Sequence, residues 1–363
     1  MPLLKEICRK ESSGIAQKDL DGCEGCYPIY GASGLIKNVD FYQQEFPYIA
    51  VVKDGAGVGR VMKLPAKSSV IGTMQYIIPN EGVDVDYLAY ALEHMNLAKY
   101  YTGATIPHIY FKDYGNETLP VPTQEEQRSI AVSLDRVCEL ISLHKQQLAK
   151  LDELVKSRFI ELFGDPETNP YGWKQTMVGE VCSSIVRGPF GSALKKEFFV
   201  EPNETTYKVY EQKHAIQKSA TIGTYYITAE KFDELRRFEC VAGDILMSCS
   251  GTMGELYQLP EGCEKGLINQ ALCKFTLNKK ILPIVFLTYM KQTIGKLETK
   301  GSGIQNIAAV SYVKAMPINL APMEVQEQFA TFVEQTDKSK LAIQESLAKL
   351  EMLKKSLMQQ YFG

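Results

Sequence analysis

The chain has 363 residues, 45% of them hydrophobic, with a formal net charge of −3. That length is too great for one ordinary domain and suits two or three units with their own cores, while no apolar run approaches the roughly 18 residues of a membrane span. The near-neutral charge excludes a broadly basic nucleic-acid coat, so any grip on nucleic acid is local or shared with a basic partner.

Residues 1–10 lack the apolar stretch and small-residue cleavage site of a secretory signal, so a cytoplasmic location is expected and the nine cysteines read as reduced thiols. Their odd number and irregular spacing argue against a disulfide framework, and Cys23 with Cys26 is a CxxC pair without a second pair at zinc-ribbon spacing. β-Prone runs follow at residues 46–52 (FPYIAVV) and 74–79 (MQYIIP), then a helical pattern over residues 85–101. Thr123 and Glu126 have capping-box spacing and open a long helix that Gly164 ends. The segment 164–173 (GDPETNPYGW) carries the glycine, prolines and asparagine of a turn. Further short strands are predicted at residues 224–228 and 244–250, a helix over 283–298, and a second long helix after Pro322 that ends on Gly363.

The chain repeats itself. Residues 146–164, QQLAKLDELVKSRFIELFG, align without a gap on residues 345–363, ESLAKLEMLKKSLMQQYFG, and the whole stretch 125–164 returns as 324–363. In the first copy Leu134, Ile141, Leu148, Val155 and Leu162 recur every seven residues, the stripe of a coiled-coil seam. Ile343, Leu350 and Leu357 keep that interval in a different register, with Lys340 and Lys354 opposite the first copy's Ile141 and Val155, and His144 and Arg158 opposite Ile343 and Leu357. Seams that diverge in this way are expected of helices that pair with each other, here as an antiparallel intramolecular coiled coil; the alternative is two amphipathic helices, each packed on its own domain. Fainter matches precede each helix: LKEIC (4–8) with VGEVC (178–182), GVGRVMKLP (57–65) with TMGELYQLP (252–260), and GATIPHI (103–109) with GSGIQNI (301–307).

Two mixed α+β units alternating with two similar long helices resemble the specificity subunits of type I restriction-modification enzymes. YPIYGASGLI (27–36), GPFGSALKKEFF (188–199), YKVYEQKHAI (207–216) and FGDPETNPYGW (163–173) look like stretches of that family's recognition domains and linkers, and EEQRSIAVSLD (125–135) with EVQEQFATFVE (324–334) like its helix openings. The resemblance implies target-recognition domains at 1–120 and 165–320, spacer helices at 121–164 and 321–363, and a pseudo-two-fold repeat. It further implies a subunit that recognises a bipartite, gapped, non-palindromic DNA target and directs methyltransferase (modification) and restriction subunits to it. A helix of about forty residues extends roughly 60 Å, enough to set the gap between half-sites. No cofactor is expected on this chain; S-adenosylmethionine, ATP and Mg are expected on partner subunits.

Reading base edges calls for Arg or Lys toward guanine, Asn or Gln toward adenine, and Ser or Thr toward either, on loops that reach a groove. In the second unit the candidates are Arg187, Ser192, Lys195 and Lys196, then Gln212, Lys213 and His214, Ser250 with Thr252, Asn269 with Gln270, and Ser302, Gln305 and Asn306. In the first they are Tyr30, Ser33, Lys37, Lys53, Arg60, Lys63, Thr105 and His108. Each stands against an ordinary reading as a turn, a solvated lysine or a core aromatic; His144 reads as a polar seam position or a partner contact.

Catalytic signatures are missing. There is no Pro-Pro of an amino-methyltransferase loop, no GxxxxGK[ST], no HExxH, and the four histidines are scattered. DGAGVG (54–59) resembles a nucleotide-binding loop, yet RVMKLP after it reads as strand, which makes it a hairpin turn. Two rival functions stay open: a fragment of a fused restriction enzyme with hidden nuclease or methyltransferase chemistry, and a coiled-coil adaptor that binds only protein. Salt-sensitive, sequence-selective DNA binding separates the expected function from the adaptor.

Overall fold

A computed structural model of the chain describes residues 1–103, 107–189, 191–299 and 309–363. The chain divides into two compact units, residues 1–147 with 342–363, and residues 148–341. It begins with α1 (Leu4–Ile7), β1 (Cys8–Ser12), β2 (Tyr27–Gly31), β3 (Gly34–Val39), β4 (Tyr48–Val52), β5 (Val61–Leu64), β6 (Ser69–Val70), β7 (Met74–Pro79), α2 (Val85–His94), α3 (Phe111–Tyr114) and the long α4 (Gln124–Phe163). After it come β8 (Lys174–Met177), α5 (Val178–Val181), β9 (Cys182–Arg187), β10 (Tyr207–Tyr210), α6 (Gln212–Ile216), β11 (Tyr226–Ile227), α7 (Ala229–Glu234) and β12 (Glu239–Cys240). The remainder is β13 (Ile245–Ser248), β14 (Leu256–Gln258), β15 (Gly266–Ile268), β16 (Leu272–Leu277), α8 (Pro283–Thr299), α9 (Val310–Lys314), β17 (Pro317–Leu320) and the long α10 (Met323–Phe362).

The two units share one sheet plan. In the first, an antiparallel sheet runs β1-β7-β4-β5, and a smaller one runs β3-β2-β6 with β2 and β6 parallel. In the second, the antiparallel sheet runs β9-β16-β13-β14, and the smaller one runs β11-β10-β15-β12 with β10 and β15 parallel. Strand β4 shows why its sequence is apolar throughout. Ile49 and Val51 face the helices, packing with Leu88 and Leu92 of α2, while Tyr48, Ala50 and Val52 face Val70 and Met74 on the opposite side. A strand covered on both faces loses the polar alternation of a half-exposed one.

The predicted elements appear with changes of extent, among them the strands predicted over 46–52 and 244–250, which form only at Tyr48–Val52 and Ile245–Ser248. The helix predicted over 85–101 ends at His94, because Asn96 adopts a left-handed conformation and only a 3₁₀ turn follows at Leu97–Tyr100. The strand predicted over 224–228 shrinks to Tyr226–Ile227.

Helix α4 opens as its sequence indicates, with the Glu126 carboxylate accepting from the Thr123 amide at 2.9 Å and the Thr123 hydroxyl accepting from the Glu126 amide at 3.3 Å. Within each unit α4 and α10 pair antiparallel. In the first, Nε2 of His144 lies 3.0 Å from the Ser346 hydroxyl and Lys145 pairs with Glu351 at 3.0 Å, while Leu134 shares a core with Met358 and Phe362. In the second, Lys340 pairs with Asp152 at 2.7 Å and Arg158 lies over the Phe332 ring, while Phe159 and Phe163 pack on Phe329. The expected difference in register is not found. Covered positions of α4 at 134, 137, 141, 144, 148, 151, 155 and 158 correspond through the repeat to covered positions of α10 at 333, 336, 340, 343, 347, 350, 354 and 357. Lys340 and Lys354 stay on the seam, largely covered, with their ammoniums paired to Asp152 and Glu93.

One buried glutamine recurs with its whole network. Gln127 accepts from the Asp84 amide at 2.8 Å and donates to the carbonyls of Gly82 and Pro122; Gln326 accepts from the Leu282 amide at 2.9 Å and donates to the carbonyls of Lys280 and Ala321. In both units it ties the start of the long helix to the chain just before the shorter one.

Candidate nucleic-acid interface

In the second unit, hydrogen bonds gather three connections at one end of the sheets. The 249–255 loop joins β13 to β14, and its first amide, Cys249, donates to the Ala271 carbonyl at 2.7 Å in the β15–β16 connection. The Asn269 amide donates to the Tyr210 carbonyl at 3.0 Å, placing the β15–β16 connection beside the start of α6. From there Nε2 of Gln212 donates to the Thr252 carbonyl at 3.4 Å. The end of β9 joins them at Gly188, where a Cβ would come 1.8 Å from the Asn269 carbonyl oxygen, so only glycine permits this approach. The cluster exposes Ser250, Thr252 and Gln270 and holds Arg187, Gln212 and Asn269 half-buried. Asn269 uses its side-chain oxygen to accept from the Ala271 amide, a local turn with Gln270 at its tip.

The first unit builds the same cluster from different side chains. Lys53 donates its amide to the Thr73 carbonyl at 3.0 Å, and Ile71 to the Tyr30 carbonyl at 3.0 Å, the counterparts of the Cys249 and Asn269 bonds. The 53–60 loop closes as its partner does: Gly59 donates to Val52 and Gly254 to Ser248, both at 2.8 Å. Both glycines have positive φ, 83° and 84°. Nη1 of Arg60 donates to the Ala32 carbonyl at 2.6 Å, joining this loop to the β2–β3 turn that exposes Ser33. The segment before α3 also converges: Gly55 donates to the Pro107 carbonyl, Ile109 to that of Lys53, and His108 bonds the Asp54 carboxylate through Nδ1. Because the 53–60 loop connects antiparallel β4 and β5, DGAGVG is a hairpin connection and not a strand-to-helix phosphate loop.

The candidates therefore sort into three groups. Ser33, Lys53, Arg60 and His108 come together in the first unit, and Arg187, Gln212, Ser250, Thr252, Asn269 and Gln270 in the second. Ser192, Lys195 and Lys196 lie exposed on the turns before β10, and Lys213 spans Glu211 at 2.6 Å and the face of Tyr225, whose ring stacks on Phe199 at 4.3 Å. Lys195 in turn lies 3.8 Å from Glu197, so this second region mixes lysines, carboxylates and aromatic rings.

Four candidates face elsewhere. His214 is fully buried: Nδ1 accepts from the Glu211 amide at 2.8 Å and Nε2 donates to the Ile222 carbonyl at 2.7 Å. Burial pushes its pKa below the ordinary imidazole value, so it is a neutral internal brace rather than a surface contact. Tyr30 packs against the core of Tyr48, Val70 and Tyr76. Lys63 is held by Asp86 at 3.1 Å and Asp135 at 3.5 Å, on the helix side of the sheet, and Lys37 donates to the Leu20 carbonyl at 3.2 Å. Thr105, Ser302, Gln305 and Asn306 lie outside the described residues.

The sequence reading missed Tyr110 and Lys112. Tyr110 is exposed, its ring lies 4.1 Å from that of His108, and the Lys112 ammonium lies 5.0 Å from its centre. The alternation of aromatic and basic residues in PHIYFK was the available signal. Among the described residues no group of three or more His, Cys, Asp or Glu could hold a metal ion, and no helix is long and apolar enough to cross a membrane.

Residues 3–153 and 170–352 match the family model described as the type I restriction modification DNA specificity domain. Among solved structures, the S subunit of a type I restriction-modification system from M. genitalium superposes with a TM-score of 0.60 at 16% identity, over 100% of this chain and 95% of that one. A second, from work on the assembly and conformational transition of the type I R-M system, gives 0.61 at 15% identity over 99% and 96% of the two chains. No curated protein matches the chain.

Proposed function

Because the chain belongs to the type I restriction modification DNA specificity family, and is thus a non-catalytic DNA-recognition subunit, we propose that each unit reads one block of a bipartite, gapped, non-palindromic target. The observation that supports this most is the loop cluster rebuilt at the same place in both units with different side chains. Shared backbone bonds give two heads of one shape; unlike residues give them unlike preferences. In the first head Lys53 suits guanine edges and phosphates, while in the second Gln212, Ser250, Thr252 and Gln270 offer the amides and hydroxyls that suit adenine and thymine edges. Lys195, Lys196 and Lys213 take phosphate. The length of α4 and α10 sets the gap between the blocks.

Methyltransferase subunits, and restriction subunits with them, are the protein partners, and S-adenosylmethionine, ATP and Mg act there. With a net charge of −3, the chain alone binds DNA weakly and gains affinity in the complex. The test is to co-express it with a modification subunit in the cytoplasm of a host and map methylated adenines. A motif of two constant blocks around a fixed gap is expected, and replacing residues 1–120 by another member's unit changes one block alone. Methylation without sequence preference, or both blocks changing together, refutes the proposal.

A further inference from the structure

The hairpin loop of each head is tied sideways to the segment that follows the parallel-paired strand. In the first unit the tie is Arg60, whose guanidinium crosses Gly57 (a Cβ there would lie 3.3 Å from Nη2) to reach the Ala32 carbonyl at 2.6 Å, just after β2. Through the repeat, Arg60 corresponds to Glu255. Glu255 is also tied to the segment after the equivalent strand β10, with the charge reversed: Nζ of Lys218 lies 2.6 Å from its carboxylate and donates to the Leu256 carbonyl at 2.7 Å. Gln212 adds a second tie to the Thr252 carbonyl, lying against Gly251, where a Cβ would come 3.3 Å from its nitrogen. Lys218 and Glu255 are both exposed at their side chains, 46% and 43%, and exposed ion pairs add little to stability. Folding alone does not account for a cross-tie from the same hairpin position in both heads, made to Ala32 directly after β2 in one and to Lys218 beyond α6 in the other.

We propose that Arg60 in the first head, and the Lys218–Glu255 pair in the second, are positioning residues that lock two loops into one reading surface and so set the sharpness of sequence discrimination. The proposal rests on the DNA-reading role above. A loop free to shift by an ångström relative to its neighbour accepts wrong base pairs, because the discriminating hydrogen bonds are directional.

The test uses complexes with the modification subunit, each checked for assembly by size-exclusion chromatography, and maps methylated adenines. Lys218→Glu and Glu255→Lys each reduce discrimination against single-base variants of one block by about fivefold or more and leave the other block sharp. The swapped double variant regains part of it through the reversed ion pair, which a general loss of packing would not allow, but not all, because a carboxylate at position 218 cannot donate to the Leu256 carbonyl. Arg60→Ala blurs the other block, and Arg60→Lys, which keeps a donor within reach of Ala32, blurs it less. Single variants as sharp as the parent, a double variant no sharper than the single ones, or an Arg60→Ala complex that exchanges one preferred base for another would each overturn the proposal, the last because it marks a direct base contact. A parent complex with no two-block motif instead refutes the underlying DNA-reading role.

Discussion

Replacing Phe329 by alanine strikes the second unit where the long helices meet. Phe329 is fully buried, with its ring edge-on to Phe159 at 5.4 Å and to Phe163 at 5.5 Å, and those two rings are themselves stacked at 4.6 Å. Removing a ring from such a site loses its transfer free energy and leaves a cavity that two stacked aromatics cannot readily fill, a cost of about 3–5 kcal/mol. For a unit of this size that corresponds to a drop in Tm of roughly 6–20 °C. Hydrogen exchange by mass spectrometry reads the effect locally, with faster exchange in the α4 and α10 peptides of residues 148–341, alongside urea denaturation for the free energy. Leu341→Ala, on the exposed face of α10 at 58% exposure, is the control and should stay within about 0.5 kcal/mol. A Phe329→Ala cost below about 1 kcal/mol would refute the packing argument, since only an already loose core could absorb the lost ring so cheaply.

Gln127→Leu and Gln326→Leu each strand one backbone amide, at Asp84 and Leu282 respectively, and should each cost about 1–3 kcal/mol by urea denaturation, with faster exchange confined to residues 82–84 or 280–282. Gly59→Ala should lower Tm more than Gly254→Ala. Both have positive φ, but the new Cβ meets three backbone atoms of Leu97 and Ala98 within 2.9 Å in the first, whereas in the second only one atom, Cγ2 of Ile294 at 2.6 Å, comes that close. Since the folded pKa of His214 lies below its ordinary 6.5, the unfolded chain takes up the proton first as pH falls. The His214 contribution to stability is therefore complete above about pH 6.5 and declines below it, and an NMR titration of the His214 ring should find it still neutral at a pH where a free imidazole is charged.

Much of this architecture is legible in the residues. Heptad spacing from Leu134 to Leu162, the Thr123–Glu126 cap, the returning LAKL and FG segments and the alignment of Gly59 with Gly254 are local or repeated patterns, and both the helix pair and the shared hairpins follow from them. Arg60, Ser33, Ser250 and Thr252 were accessible as polar residues beside glycines on loops, and Asn269 with Gln270 as an amide pair between apolar runs. The side toward which Tyr30, Lys63 and His214 point was not, because Tyr30 adjoins the glycines of a turn, Lys63 follows a glycine-rich loop, and His214 stands in a polar run, as surface residues do.

What the amino-acid order alone determined is the set of parts: two mixed units, two long helices, and glycine loops at matching places, since capping, heptad periodicity and turn chemistry act over a few residues. The tertiary structure decided which loops meet and which side chains remain outside. Bonds between residues far apart in the chain, such as Arg60 to Ala32, Lys53 to Thr73 and Asn269 to Tyr210, place the loops in register. The burial of His214 and the pairing of Lys63 with Asp86 and Asp135 follow from packing that no short window contains.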